Sequence, residues 1–330
     1  MDFPQLRDLL ERKWPSTAVL GVATTAMLAS AGITDRTLTA GLRCGLLKRL
    51  HRGSYVSVTV WNAAKPWVRE DMILIGHVLA SHSHGVYSHS SAARLHGLRT
   101  WGCGDAVHLT QEFAFGNSGG AHRVRGHQQL LAPSLVTSGK VGGIRVPVTT
   151  IAQTVLDCAR LFAMQEAVII GDHALRKGVQ IAQLQALLVA SPVVRGSAKA
   201  RLLLAVLDGR SESAGESRTR VLVGRMDMPQ PELQVEMATR YGNYRLDFAW
   251  KQYKLALEFD GWGKYFDFEP TDEAIARERQ REKALMELGW QFIRIDWAAL
   301  SDPAGLESRI RASLVRAGAR LPVRRSTLFA

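Results

Sequence analysis

The stretch 244–264, YRLDFAWKQYKLALEFDGWGK, holds side chains whose types and spacing suit phosphodiester chemistry. It reads as two short strands joined by a polar turn. Strand side chains alternate, so Leu246 and Phe248 are expected on one face and Asp247 on the other. In the second strand Leu255, Leu257 and Phe259 form an apolar face, and Ala256, Glu258 and Asp260 lie opposite. If the strands are neighbours, Asp247 meets Glu258 and Asp260. Three carboxylates converging at strand ends repel one another unless a cation lies between them, and hard Mg²⁺ prefers oxygen ligands. Gly261 ends the strand and Lys264 follows within reach of the same corner. A metal and a lysine beside a scissile phosphate make a hydrolytic site. Carboxylates on strands are ordinarily solvated, but Glu258 interrupts the apolar run LALEF, where an unpaired charge is costly.

The elements that must position these groups resemble a known family. Asp247-Phe248, then Glu258-Phe259-Asp260-Gly261, then the basic run ERQREKAL from Glu278, then GWQFIRI from Gly289 resemble the PD-(D/E)XK nuclease superfamily. Within it, the similarity is to the branch of the very-short-patch-repair (Vsr) endonuclease. It covers about residues 211–300. The resemblance implies a restriction-endonuclease-like mixed sheet flanked by helices, and DNA cleavage dependent on Mg²⁺, with Mn²⁺ as the alternative ion. It implies Asp247 as the central metal ligand, Glu258 as the second carboxylate, Asp260 in support, and Glu216 of SAGESRTR as the acid of the first helix. By position alone, Glu216 is equally an ordinary acid favouring a helix dipole. The superfamily's lysine, two residues after the second carboxylate, is replaced here by Asp260, so Lys264 or Lys283 must supply the cation. Residues 271–288 read as a helix whose cations include Arg277, Arg279, Arg281 and Lys283. Such a run is usually a solvated face held by helical ion pairs, with Arg281 or Lys283 turned to the carboxylates or to DNA.

The front of the chain suggests what delivers the nucleic acid. Residues 2–14 have amphipathic spacing, and Val19–Ala29 reads as a second helix. After the turn SAGIT, Thr34 or Asp35 caps a third, RTLTAGLRCGLLKRL. A basic segment follows and turns at Gly53 into a strand, where the wing of a winged helix would lie. Thr37, Thr39, Ala40 and Arg43 are then positions for reading the major groove, and Arg49, His51 and Arg52 lie near phosphates. This order, through GLLKRLHRGSYV, resembles the winged-helix domain of AbiEi-type antitoxins over about residues 16–60. The same small fold also serves protein contacts, so a toxin or other protein is a second class of partner beside DNA.

The middle of the chain is less legible. His82, His84 and His89 are candidates for a metal site, but the polar loop and cap reading is favoured, because no helical HxxxH pair or carboxylate partner accompanies them. Ser90 or Ser91 is expected to cap a helix. His122, Arg123, Arg125 and His127 form a basic cluster in which Arg123 and Arg125 share a strand face, as a phosphate-contacting ribbon or a charged edge.

Bulk properties agree with a nucleic-acid partner. The 330 residues carry a net charge of +12. Residues 1–210 hold 23 Lys and Arg against 12 Asp and Glu, leaving 19 against 18 in the remainder. A basic front suits a polyanion, DNA or RNA. No apolar run is long enough to span a bilayer, and the start lacks a signal-peptide core, so the expected location is cytoplasmic and no membrane partner is expected. The cysteines, Cys44, Cys103 and Cys158, lack CxxC spacing. The expectation is a multi-domain α/β protein. It comprises a winged helix-turn-helix (1–64), a mixed α/β middle domain (65–206), a linker (207–217) and a nuclease-like domain (218–330). Its oligomeric state is not written in the sequence. The rival to a nuclease is a non-enzymatic, antitoxin-like regulator on a degenerate nuclease fold.

Overall fold

The computed structural model describes residues 2–81, 85–113, 123–191, 193–260 and 272–322, with 272–278 described by their backbone alone. The chain divides into two compact units, Met1–Ala205 and Val206–Ala330.

The first unit opens with α1 (Phe3–Lys13), closed at its start by Asp2, whose carboxylate accepts the Gln5 amide at 2.9 Å. Then come β1 (Val22–Thr24), α2 (Thr25–Ser30), α3 (Asp35–Arg43) and a hairpin of β2 (Leu47–His51) and β3 (Ser54–Ser57). The strand order β1-β3-β2 completes a winged helix-turn-helix. Two boundaries differ from expectation. Val19–Ala29 is not one helix: Leu20 and Gly21 have φ of +49° and +75°, and Val22–Thr24 pair with Ser54–Val56. Sheet pairing of β-branched Val22 and Thr24 outweighs the helical spacing. The third helix stops at Arg43 instead of running to Leu50. Gly45 takes φ +69°, which suits a residue without Cβ, and Leu47 onward joins the hairpin. Of the two expected caps, Thr34 is the one used.

α4 (Val58–Ala63) and α5 (Pro66–Ala80) lead to a five-stranded mixed sheet, order β6-β5-β4-β8-β7. Its strands are β4 (Val86–Tyr87), β5 (Val107–Gln111), β6 (Val124–Gln128), β7 (Val136–Val141) and β8 (Ile144–Thr149). β5 and β6 run parallel, with His108 beside Arg125 and Thr110 beside His127. Helix α6 (His89–Leu95) begins before the expected caps. Ser88 holds the N-cap position, and Ser91 Oγ instead accepts the His108 amide at 2.8 Å. Four helices, α7 (Ile151–Leu161), α8 (Met164–Arg176), α9 (Ile181–Ala190) and α10 (Ser197–Leu204), complete the unit. The apolar face of α5 joins Val22, Leu50 and Val56 of the winged helix to Tyr87, Leu109 and Val148 of this sheet in one core.

The second unit begins with α11 (Ala214–Val223), which starts inside the segment read as linker because Ser213 Oγ accepts the Glu216 amide at 3.1 Å. It continues as β9 (Glu232–Thr239), β10 (Gly242–Trp250), β11 (Leu255–Phe259), α12 (Asp272–Glu287), β12 (Gln291–Ile295) and α13 (Pro303–Arg316). The sheet order is β12-β11-β10-β9, antiparallel except for the parallel pair β11–β12. This is a mixed sheet flanked by helices. One face packs Phe248, Trp250, Leu255, Leu257 and Phe259 with Ile293, Ile310 and Leu314. The other packs Leu246, Ala249 and Ala256 with Leu285 and Trp290. Leu246 and Phe248 therefore lie on opposite faces, whereas strict alternation would put them on one. Between them the β9–β10 pairing skips Asp247, and Gln234 of β9 has φ +53°. Among the described residues no helix is long and apolar enough to cross a membrane.

Candidate functional site

The irregularity in β10 lies where the candidate acids gather. β10 and β11 pair from Trp250↔Leu255 to Phe248↔Leu257 and then part. Asp247 fills the gap: its Oδ2 accepts the Phe259 amide at 3.1 Å. The carboxylate takes the place of a ladder partner, so it is tied to β11 beside Glu258.

Glu216 reaches the same place through a close approach. Gly215 lies against the Phe259 ring, and a Cβ there would overlap it. The absence of a side chain lets the first turn of α11 sit on β11. The next residue, Glu216, is 7% exposed and accepts from the Glu212 amide and from Gln234 Nε2, both at 2.8 Å. Burial, and then the nearby Asp247 charge, raise its pKa above the ordinary 4.5. Glu216 is thus a buried acid facing Asp247, not a solvated first-turn residue.

Glu258, 8% exposed, meets Arg281 of α12 in an ion pair. The same guanidinium donates to the Arg245 carbonyl at 3.1 Å. A charge in the apolar run LALEF is therefore compensated, as burial requires. Asp260 is half-buried, and its amide donates to the Ile295 carbonyl at 2.7 Å. Lys264 lies outside the described residues. Lys283 is exposed beside Arg279, Glu282 and Met286, so of the two basic residues weighed on this helix it is Arg281 that turns to a carboxylate.

Among the described residues, no three of these carboxylates bring oxygens within 4.8 Å of one another. The arrangement is two neighbourhoods on adjacent strands, Glu216 with Asp247 and Glu258 with Arg281. The donor set is all oxygen, and Mg²⁺ is commonly held by one or two carboxylates with the remaining positions filled by water. Glu216 and Asp247 fit that description.

In the winged helix, Arg36, Thr39 and Arg43 are exposed at helical spacing on α3. Arg36 was not anticipated, although its position three before Thr39 places it on the same face. Thr37 is half-buried, with Oγ1 3.0 Å from Thr34 Oγ1 in the helix cap. Arg49 and Arg52 are exposed on the hairpin. His51 is turned inward, edge-on to His77 at 4.9 Å, with Nδ1 3.1 Å from the Arg52 carbonyl. Arg123 and Arg125 are exposed on the edge strand β6 and its approach, and Arg123 lies 3.6 Å from Asp105.

A second constellation was not anticipated. His89, His108 and His127 gather between α6, β5 and β6, whereas His82 and His84, weighed together with His89, lie outside the described residues, as does His122. His89 opens α6, and the pairing of β5 with β6 sets His108 and His127 beside it.

No protein-family model matches the chain. Two curated relatives, both described as uncharacterised proteins of Mycobacterium tuberculosis (strains CDC 1551 / Oshkosh and ATCC 25618 / H37Rv), are each 35% identical to it over 125 residues. The match spans 37% of this chain and 45% of each relative.

Proposed function

We propose that the chain binds DNA through its winged helix and hydrolyses DNA phosphodiester bonds at Asp247. The observation that carries this reading is a buried Glu216 near enough to Asp247, where β10 and β11 part, for the Asp247 charge to raise its pKa; two such neighbouring carboxylates favour a shared proton or a shared cation. Glu216 and Asp247 would hold Mg²⁺, or Mn²⁺, with Glu258 and Asp260 beside them. The ion would polarise the phosphate and lower the pKa of a bound water. Asp247, fixed by the Phe259 amide, orients the site. Arg281 supplies the positive charge for which the superfamily uses lysine, with Lys264 as the other candidate. Arg36, Thr39 and Arg43 face the groove, and Arg49 and Arg52 grip phosphates.

A second reading is favoured by the Glu258–Arg281 pair. A carboxylate already neutralised by arginine has less need of a metal, as in a regulator that binds DNA without cutting it. Metal-dependent cleavage by the full chain, compared with Asp247→Ala at matched DNA binding, separates the two. Cleavage lost in the variant supports the nuclease; tight binding by both chains without cleavage supports the regulator.

A further inference from the structure

We propose that His89, His108 and His127 form a binding site for one Zn²⁺, or a neighbouring late first-row divalent ion, with the fourth coordination position left to water or an anion. The site lies in the first unit and is independent of the carboxylates of the second.

Geometry is the main argument. One ring nitrogen from each histidine lies within 4.8 Å of the others. The rings stack, with centroids 3.8 Å apart for His89 and His127, and 5.3 and 5.1 Å apart for the pairs with His108. His108 Nδ1 is 2.8 Å from His127 Nε2. Tetrahedral Zn²⁺ with Zn–N bonds of about 2.0–2.1 Å sets its ligand nitrogens about 3.3 Å apart. The two nitrogens already converge, and a spread of about half an ångström would admit the ion.

The surroundings support ligation. Ser88 Oγ is 2.9 Å from His89 Nδ1 and accepts from Thr110 Oγ1 at 2.8 Å. With Nδ1–H donating to Ser88, His89 presents its Nε2 lone pair, the outer-shell arrangement that orients metal-bound imidazoles. His108 is 1% exposed and turns its Nδ1 to His127, so Nδ1 is the atom that would ligate. His89 also holds φ +50° at the start of α6, and strained backbone of this kind gathers at functional sites.

Chemistry selects the ion. Three imidazoles with no carboxylate suit Zn²⁺, Cu²⁺ or Ni²⁺ and not Mg²⁺. Arg125 acts on His108 and His127, and Arg160 on His89. These positive charges oppose a bare dication and favour an anionic fourth ligand, such as hydroxide or a phosphate or carboxylate oxygen. A bound ion would clamp edge strand β6 to β5 and to the start of α6.

The test uses the full chain, stripped with a chelator, dialysed, and titrated with Zn²⁺ against a competing chelator. The expected result is one Zn²⁺ per chain, with affinity reduced about 100-fold or more in His127→Ala, since a lost ligand should cost at least what a lost outer-shell partner does. Asp247→Ala should keep the full ratio. Co²⁺ bound to the unmodified chain should give the intense visible bands of a tetrahedral site, a readout that stands even if His127→Ala fails to fold. Failure of the unmodified chain to bind Zn²⁺ overturns the proposal. So does unchanged binding in a folded His127→Ala, binding lost in Asp247→Ala instead, or a weak octahedral Co²⁺ spectrum.

Discussion

The Asp247 carboxylate accepts the Phe259 backbone amide at 3.1 Å, and so joins β10 to β11 at the point where their ladder ends. This bond places an acid at a split in the sheet with Glu258 one residue before its partner. The split, and not three carboxylates on one smooth face, is what organises the proposed site.

Gly215 is the contact that brings Glu216 to that split. Gly215→Ala should destabilise the chain by about 1–3 kcal/mol through overpacking against Phe259 and should abolish any metal-dependent activity. Phe259→Leu in the same chain should recover part of the stability. Urea unfolding of the two single variants and the double variant gives the coupling; a purely additive result would mean that the ring and the glycine do not meet.

Burial raises the pKa of Glu216 above its ordinary value. The folded chain holds its proton to higher pH than the unfolded chain does. That contribution is complete below the ordinary 4.5 and is lost as pH rises through the folded value. Glu216→Gln should therefore be more stable than the unmodified chain at pH 7.5, and the advantage should shrink below pH 4.5. Millimolar Mg²⁺ should stabilise the unmodified chain and not the variant, because only the carboxylate binds the ion. Thermal melts with and without Mg²⁺ at the two pH values measure both effects.

Arg281 compensates a buried acid. Arg281→Ala should cost about 3 kcal/mol, because Glu258 is left buried without its partner. Arg281→Ala combined with Glu258→Gln should cost less than Arg281→Ala alone. If Arg281 also serves chemistry, the double variant will be stable but inactive, which a structural ion pair alone does not predict.

The winged helix should bind DNA mainly through phosphates. Replacing Arg43, Arg49 or Arg52 with Ala should each lower the slope of log K against log salt by about 0.9. His51→Ala should leave the slope unchanged, since the ring packs on His77. Fluorescence anisotropy from about 50 to 200 mM salt covers the range over which phosphate contacts lose affinity.

Much of the scaffold was legible from local pattern. The alternation in LALEF marked β11, and Gly53 between short polar and β-branched runs marked the hairpin. Failures came where tertiary pairing overrode local spacing. Val22–Thr24 is too short to signal a strand by itself and was absorbed into a helix. Glu216 was ambiguous because nothing in SAGESRTR says that Gly215 will touch a ring 44 positions away. Arg281 was one of several cations on a helix until the fold paired it with Glu258. His89, His108 and His127 carry no spacing signature, because they come from α6, β5 and β6 and meet only in the fold.

The central claim is hydrolysis at Asp247. Supercoiled plasmid incubated with the full chain in Mg²⁺, Mn²⁺ or EDTA, beside Asp247→Ala, tests it most directly. Open-circular or linear product is expected with either ion, none in EDTA, and none from an Asp247→Ala chain that still shifts DNA in a gel. Cleavage by Asp247→Ala equal to the unmodified chain, or intact plasmid in every condition despite tight binding, would contradict it.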